Sequence, residues 1–306
     1  MNHKKYYGLM TFGTILWAGA FIAGKLGVEK LSPLLLTYFR MLFATIIIFP
    51  ILIFKDKNWK IEKKLIKYVL LTGLVGMIGY HLLFFTALRY TTASNASIIN
   101  ATNPILTSIF AYVILKDHLS PRRIFFILTA FIGVLTTIID WDFINLIHFS
   151  FNKGDLIMIL GTTCWALYSI IVKQVMHHFT PFKLTAYTFL ASVVLLTPFA
   201  LYEMMYTDFS SIGIMPFYAV FYMAIFPTVM GYTIQQVVIK ELGPSTTSLF
   251  INLVPIFSVL FATVFLKESF NYLNLISGGL IIYSVFSFSK KPKVDNIIMQ
   301  QQFPTV

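Results

Sequence analysis

Residues 11–33 read TFGTILWAGAFIAGKLGVEKLSP and residues 159–181 read ILGTTCWALYSIIVKQVMHHFTP. Each is an apolar run carrying a Trp-Ala pair (Trp17-Ala18, Trp165-Ala166), then a lysine (Lys25, Lys173), then a polar stop ending in proline (Pro33, Pro181), all at one offset of 148 residues. A hydrocarbon core about 30 Å thick takes roughly 20 helical residues, and a helix does not continue through proline. Each stretch therefore reads as a membrane span with the turn that closes it, and its return says that the chain is built twice.

The remainder of the sequence has the same character. Of 306 residues 58% are hydrophobic and 11% charged, against about 45–50% and about 25% in a soluble domain, and mean hydropathy is +0.79. With 31 Phe, 16 Tyr and 4 Trp the chain has more apolar surface than a core of its size buries, so much of it faces lipid. Apolar runs place spans at 8–27, 33–54, 66–88, 93–115, 122–140, 155–173, 183–202, 215–238, 244–266 and 271–289. The connections are short and marked by polar residues or proline, as in Leu119-Ser120-Pro121 and Leu242-Gly243-Pro244. The first run follows Asn2-His3-Lys4-Lys5 but is too long for a signal peptide, and nine similar runs follow it, so it reads as a retained helix.

Further pairs extend the repeat. Gly79-Tyr80 returns as Gly231-Tyr232 at offset 152, and Pro104 as Pro255 and Leu115-Lys116-Asp117 as Leu266-Lys267-Glu268 at offset 151. The expected fold is an all-α integral membrane protein of ten transmembrane helices in two five-helix repeats, residues 1–150 and 151–289, with a polar cytoplasmic tail over 290–306. Five spans per repeat is odd, so the second half enters the membrane from the opposite side, the inverted-topology arrangement that supports alternating access.

Lysine and arginine set the orientation. With the N-terminus inside, seventeen of the twenty-three lie on the cytoplasmic side, among them the dense run Lys55, Lys57, Lys60, Lys63, Lys64 and Lys67. Five (Lys25, Lys30, Arg89, Lys153 and Lys267) lie outside, and Arg40 is left within a span. Both termini are therefore expected in the cytoplasm of a multi-pass protein of the plasma or inner membrane. The net charge of +11 is a topology signal rather than a nucleic-acid footprint, and the lysine run also suits anionic lipid head groups.

Ten spans in a five-plus-five repeat, Trp-Ala early in spans one and six, Arg40 in span two, and Pro104 or Pro255 followed by Leu-Lys-Asp or Leu-Lys-Glu together resemble the EamA branch of the drug/metabolite transporter superfamily. The resemblance covers residues 8 to 289. It implies a carrier for small metabolites, often an exporter of amino acids or related compounds, whose central cavity is lined by spans one, three, four, six, eight and nine. Two positions depart from the pattern: Asp117 stands where the family has Glu, and Thr188 stands where the second repeat would echo Arg40.

Polar residues within spans are the candidate functional groups. All twelve carboxylates fall in loops or near span ends, which speaks against proton coupling through a deeply buried acid. Of six histidines His81 alone lies well within a span, beside Tyr80, where a ring that titrates near neutrality suits a transport role or an interhelical hydrogen bond. Arg40 is the other deep charge: its fork of donors matches a carboxylate or phosphate, or else it bridges backbone carbonyls and polar side chains, since the resemblance keeps span two away from the cavity. Lys25 and Lys173 are expected to snorkel.

Span four carries Ala93, Ser97 and Ala101 on one face, and span nine carries Ser248 and Asn252 at the matching places, with Asn95, Asn100, Asn103, Thr246 and Thr247 around them. Small residues let helices approach, and Asn95, Asn100 and Asn252 are expected to meet substrate. Pro104 and Pro255 supply a kink and a freed carbonyl. In span eight Tyr232 precedes Gln235 and Gln236, two consecutive amides that avoid lipid only by facing protein or cavity, and all three are expected to contact substrate. Trp17, Trp165 and Tyr168, well inside their runs, are expected as cavity walls, and Gly73, Gly76 and Gly79 as close-packing positions.

The sequence holds no HExxH, no GxSxG, no pair of mid-membrane aspartates and no P-loop, so neither an intramembrane enzyme nor direct use of ATP is expected. Cys164 is a lone thiol, and no metal site or cofactor is expected. The reading is a secondary transporter of a small polar or amphipathic metabolite, exporting by alternating access. Its partners are that substrate and membrane lipid, without nucleic acid, as a monomer or weak homodimer. A passive channel or a non-transporting scaffold is the alternative.

Overall fold

The computed structural model describes residues 3–116, 121–138, 141–142, 152–242, 247, 250–251, 253–268 and 272–289. Among these residues the chain is helical with short turns and no strand. The helical runs are α1 (His3–Val28), α2 (Pro33–Lys55), α3 (Lys63–Tyr90), α4 (Ala93–Asn100), α5 (Asn103–Leu115), α6 (Pro121–Ile138), α7 (Lys153–Val175), α8 (Pro181–Met205), α9 (215–242), α10 (Val254–Leu266) and α11 (Tyr272–Ser289).

Seven helical stretches among the described residues are long and apolar enough to cross a membrane: Lys4–Val28, Pro33–Lys55, Lys63–Tyr90, Ala93–Ile114, Lys153–His178, Pro181–Met205 and Met215–Val238. The fifth, ninth and tenth expected spans are represented by shorter apolar helices, Ile124–Thr137, Val254–Leu266 and Leu275–Ser284. The expected tail over 290–306 lies outside the described residues. Apolar side chains crowd the outer surface, among them Phe54, Val194, Phe199 and Phe265. Such a surface suits hydrocarbon and would drive aggregation in water.

The prolines that stop one helix start the next. Ser32 accepts from Leu35 N–H with Pro33 in the first turn of α2, and Thr180 does the same for Lys183 N–H with Pro181 in α8. The missing proline N–H is no loss there, and the hydroxyl satisfies a donor that lipid would leave bare. Pro50 and Pro198, also 148 residues apart, lie inside α2 and α8. Pro104 and Pro255, expected as kinks, stand in the first turns of α5 and α10. Span four is thus two helical segments with a turn at Ala101-Thr102, and Pro104 stands in the first turn of the second, where its missing N–H is no loss.

Two π-helical segments stand at corresponding places, Gly73–Tyr80 in α3 and Ala224–Gly231 in α9, and a third, Ala262–Leu266, ends α10 without a counterpart in α5. Lys116 and Lys267 close α5 and α10 in the left-handed conformation, at φ 58° and 54°. Both pairs are 151 residues apart.

The packing is reciprocal between the halves. Helix α1 lies on α9 and α10, and α7 lies on α3, α4 and α5; α3 meets α8 as α9 meets α2; α2 runs along α8, and α6 along α11. At one end a clasp joins the halves. The Glu268 carboxylate accepts from Ala93 N–H (2.9 Å), Ser94 N–H (3.3 Å) and the Ser94 hydroxyl (2.7 Å), covering the N-terminus of α4. Beside it Lys25 Nζ donates to the carbonyls of Leu88 and Thr91, each at 2.7 Å, at the C-terminus of α3. The bare carbonyls of a helix end hold the Lys25 ammonium there. Arg89 donates to Leu31 O, and Thr91 Oγ1 donates to Asp155.

Candidate substrate cavity

The site is set by a proline. Pro227 has no N–H, so the Met223 carbonyl one turn earlier lacks its α-helical donor, and the Thr228 hydroxyl donates to it at 2.6 Å. With its hydrogen so committed, the Thr228 oxygen accepts from Arg40 Nε at 2.7 Å, across the interface of α9 and α2. Arg40 is 3% exposed, and its guanidinium carbon stands 5.9 Å from the centre of the Phe85 ring. Among the described residues no carboxylate pairs with it; the ion pair found there is Lys64 with Glu62, on the surface.

Trp17 reaches the same segment. Its indole N–H donates to Pro227 O at 3.0 Å, lying so close to α9 that a Cβ at Gly231 would stand 2.6 Å from Nε1. In α3 His81 Nδ1 bonds Met77 O at 2.9 Å, and Nε2 meets the Tyr232 hydroxyl at 3.3 Å. A carbonyl only accepts, so Nδ1 carries a hydrogen, and in the neutral ring Nε2 accepts from Tyr232. Tyr232 is edge-on to Trp165, whose ring lies 4.9 Å from both Tyr80 and Tyr168. Tyr168 packs on α3 at Gly76, where a Cβ would come within 2.3 Å of its ring.

These groups surround a cavity open at its mouth, lined by Trp17, Ala20, Phe21, Arg40, Tyr80, His81, Phe84, Asn100, Trp165, Tyr232, Ile251 and Val254. Of the residues singled out from the sequence, the structure brings Trp17, Tyr80, His81, Asn100, Trp165 and Tyr232 to this wall. Tyr168 stands behind Trp165. Asn95 lies in the first turn of α4, its N–H on the Thr92 hydroxyl, away from the lining. Asn252 lies outside the described residues.

Gln235 and Gln236 follow Tyr232 in α9 and are buried without lining the cavity; among the described residues the Oε1 of each has no hydrogen-bond partner. Asn100 accepts from the Thr162 hydroxyl at 3.4 Å. Ala93, Ser97 and Ala101 are fully buried, as small residues at a close helix contact are.

Span two does contribute to the wall: Arg40 lines the cavity, against the expectation drawn from the resemblance. Thr188, its counterpart in the second half, instead bonds Thr72 at 3.0 Å, so the halves differ in charge where they correspond in place. Sequence reasoning missed Pro227 and Thr228. The signal was present as a Pro-Thr pair in span eight, but a proline there suggests a bend before it suggests an acceptor for an arginine three hydrogen-bonded groups away.

A helical bundle with an apolar exterior and a polar, aromatic cavity at its centre has the form of a multi-pass membrane transporter. The chain belongs to the EamA-like transporter family, whose profile matches residues 4–139 and again 152–290. It is 34% identical over 292 residues to the uncharacterized transporter YyaM of Bacillus subtilis, covering 94% of this chain and 95% of that one. It is 26% identical over 294 residues to an uncharacterized transporter of Archaeoglobus fulgidus, covering 95% and 99%. One solved crystal structure shares 18% identity and a TM-score of 0.66 over 94% of this chain and 98% of its own, a likeness of fold.

Proposed function

We propose that this transporter is a secondary carrier that moves a small amphipathic metabolite, an amino acid or a related compound, out of the cell by alternating access across the cytoplasmic membrane. The observation that carries this reading is that the cavity sits where the two halves meet and is held by bonds between them: Trp17 to Pro227, Arg40 to Thr228, and His81 to Tyr232. If the halves rock against each other, the polar groups that would hold a substrate are the groups that move.

Ten spans as two inverted five-helix repeats, 1–150 and 151–289, supply the rocking halves. Three features favour that architecture: the paired π-helical segments in α3 and α9, the paired left-handed lysines, and packing in which α1 lies on α9 and α10 as α7 lies on α3, α4 and α5. Trp17, Tyr80, His81, Asn100, Trp165 and Tyr232 hold the substrate in this proposal. The free Oε1 atoms of Gln235 and Gln236 accept hydrogen bonds from it on its way in or out. Asn95, Asn252 and Tyr168 have supporting parts, and Pro104 and Pro255 give span four and span nine a place to flex. Lipid surrounds a monomer or weak homodimer, with both termini cytoplasmic.

The test is counterflow in proteoliposomes with labelled amino acids, nucleosides and organic acids. Saturable counterflow of one compound, lost in the Gln235→Ala, Gln236→Ala double variant, supports the carrier. Flux that never saturates makes the protein a channel, and no flux from folded protein makes it a scaffold.

A further inference from the structure

The charge balance of the cavity says more about the substrate than its shape does. Arg40 has five N–H donors. One is used, on Thr228, and among the described residues no acceptor takes a hydrogen bond from its Nη groups. The guanidinium lines the cavity, and the other described lining residues are aromatic, aliphatic, or neutral and polar, with no carboxylate among them. A cation held this far from water without a counter-ion is expensive, and an anion placed against it removes that expense. Thr228 fixes the Nε edge of the guanidinium, which leaves the two Nη groups, the edge that grips a carboxylate with parallel bonds. The rings of Trp17, Phe21, Tyr80, Phe84 and Trp165 line the same cavity, suited to a flat apolar body.

We propose that the substrate is a small organic monoanion, a carboxylate on a flat apolar body, seated with its carboxylate on the Nη groups of Arg40. The inference rests on the cavity being the transport site and deepens that reading. An ammonium on the same molecule would find no acid in the wall to replace the water it leaves, so a zwitterion gains less than the corresponding anion, and a cation is repelled. Gln235 and Gln236 do not alter this balance. They are neutral amides off the lining, able to accept an N–H or O–H but not to compensate a full charge.

Three probes with one body and three charges test it: 3-phenylpropanoate, phenylalanine and phenethylamine. Binding to the full-length protein in detergent is followed by tryptophan fluorescence, which Trp17 and Trp165 in the wall make sensitive to occupancy, and by calorimetry. Measurements are made on the wild type and on Arg40→Gln, Arg40→Lys and Trp165→Ala, with size-exclusion profile and melting curve as the check on folding. The expected result is that 3-phenylpropanoate binds at least about tenfold more tightly than phenylalanine, with phenethylamine weakest. Arg40→Gln should erase most of that preference, in line with the roughly 10- to 100-fold worth of hydrogen bonds to a charged group. Arg40→Lys, which keeps the charge and loses the fork, should retain part of it even if the Gln variant fails to fold.

Phenylalanine or phenethylamine binding as tightly as the anion overturns the proposal, and so does an unchanged preference in Arg40→Lys and Arg40→Gln. If Trp165→Ala abolishes binding while the Arg40 variants change nothing, the cavity reading stands and the anion falls. If a probe binds and none of the three variants weakens it, the cavity is not the site and both fall. Failure of all three probes to bind in the millimolar range, with the protein folded, excludes the flat-bodied monoanion.

Discussion

At the scale of the residue, the centre of the molecule depends on what Pro227 lacks. A missing N–H frees the Met223 carbonyl, Thr228 occupies it, and Arg40 is then oriented by the other side of the same hydroxyl. Thr228→Val keeps the volume and removes both bonds. It should cost about 1.5–3 kcal/mol, the usual worth of a hydrogen bond to a charged group, read as a lower melting temperature in detergent. Thr228→Ser restores the oxygen and should melt close to the wild type; a valine variant as stable as the wild type would show that Arg40 is held by something else. Much of this site was legible beforehand, because an aromatic, a histidine or an arginine deep in an apolar run is conspicuous against its background. Thr228 was not, since threonine inside a membrane helix usually bonds its own preceding turn, as Thr45, Thr86 and Thr233 do here. Only the π-helical register around Pro227, which leaves no mark in the pattern of apolar residues, turns one threonine of that kind into a bridge.

At the scale of the element, the broken span four makes a weak point that the clasp covers. Helix α4 has only eight residues, and its first N–H groups would be bare in lipid without the Glu268 carboxylate, which arrives from the other half of the chain. The left-handed turn at Lys267 is what swings Glu268 out of the line of α10 toward α4. Lys25, with the opposite charge, sits on the opposite kind of helix end. Removing the acid should cost about 1 kcal/mol, as loss of an N-cap does, and more tellingly it should open this end. In a Cys164→Ser background, the buried Ser97→Cys should react with a membrane-impermeant maleimide faster when Glu268→Ala is added. Equal rates would mean that the contact does not restrain access. The Leu-Lys-acid pattern was legible as a repeat, whereas the partner of the acid, 175 residues earlier in the chain, was not, because capping across such a distance follows from packing and not from local sequence.

At the scale of the whole molecule, the sequence pattern and the structure agree on helices: seven helical stretches among the described residues reach crossing length, and shorter apolar helices stand within the other three expected runs. Hydropathy adds up apolar residues whether or not a helix runs through them unbroken, so it leaves no mark of an interruption such as the turn at Thr102 within span four. Orientation is a separate matter, carried by lysines that make few contacts. If α2 crosses the membrane, then Lys57, in the basic loop after α2, and Lys30, between α1 and α2, lie on opposite faces, and both are exposed. In a Cys164→Ser background, Lys30→Cys should be labelled by impermeant maleimide on intact cells, and Lys57→Cys only after permeabilisation. The reverse result would place both termini outside and put the Glu268 clasp on the cytoplasmic face, so that the same bonds would close the opposite door. Labelling of both from outside would be harder to absorb, since it would make α2 something other than a span, and Arg40, which needs α2 to carry it to the middle of the membrane, would then have no reason to be buried among rings.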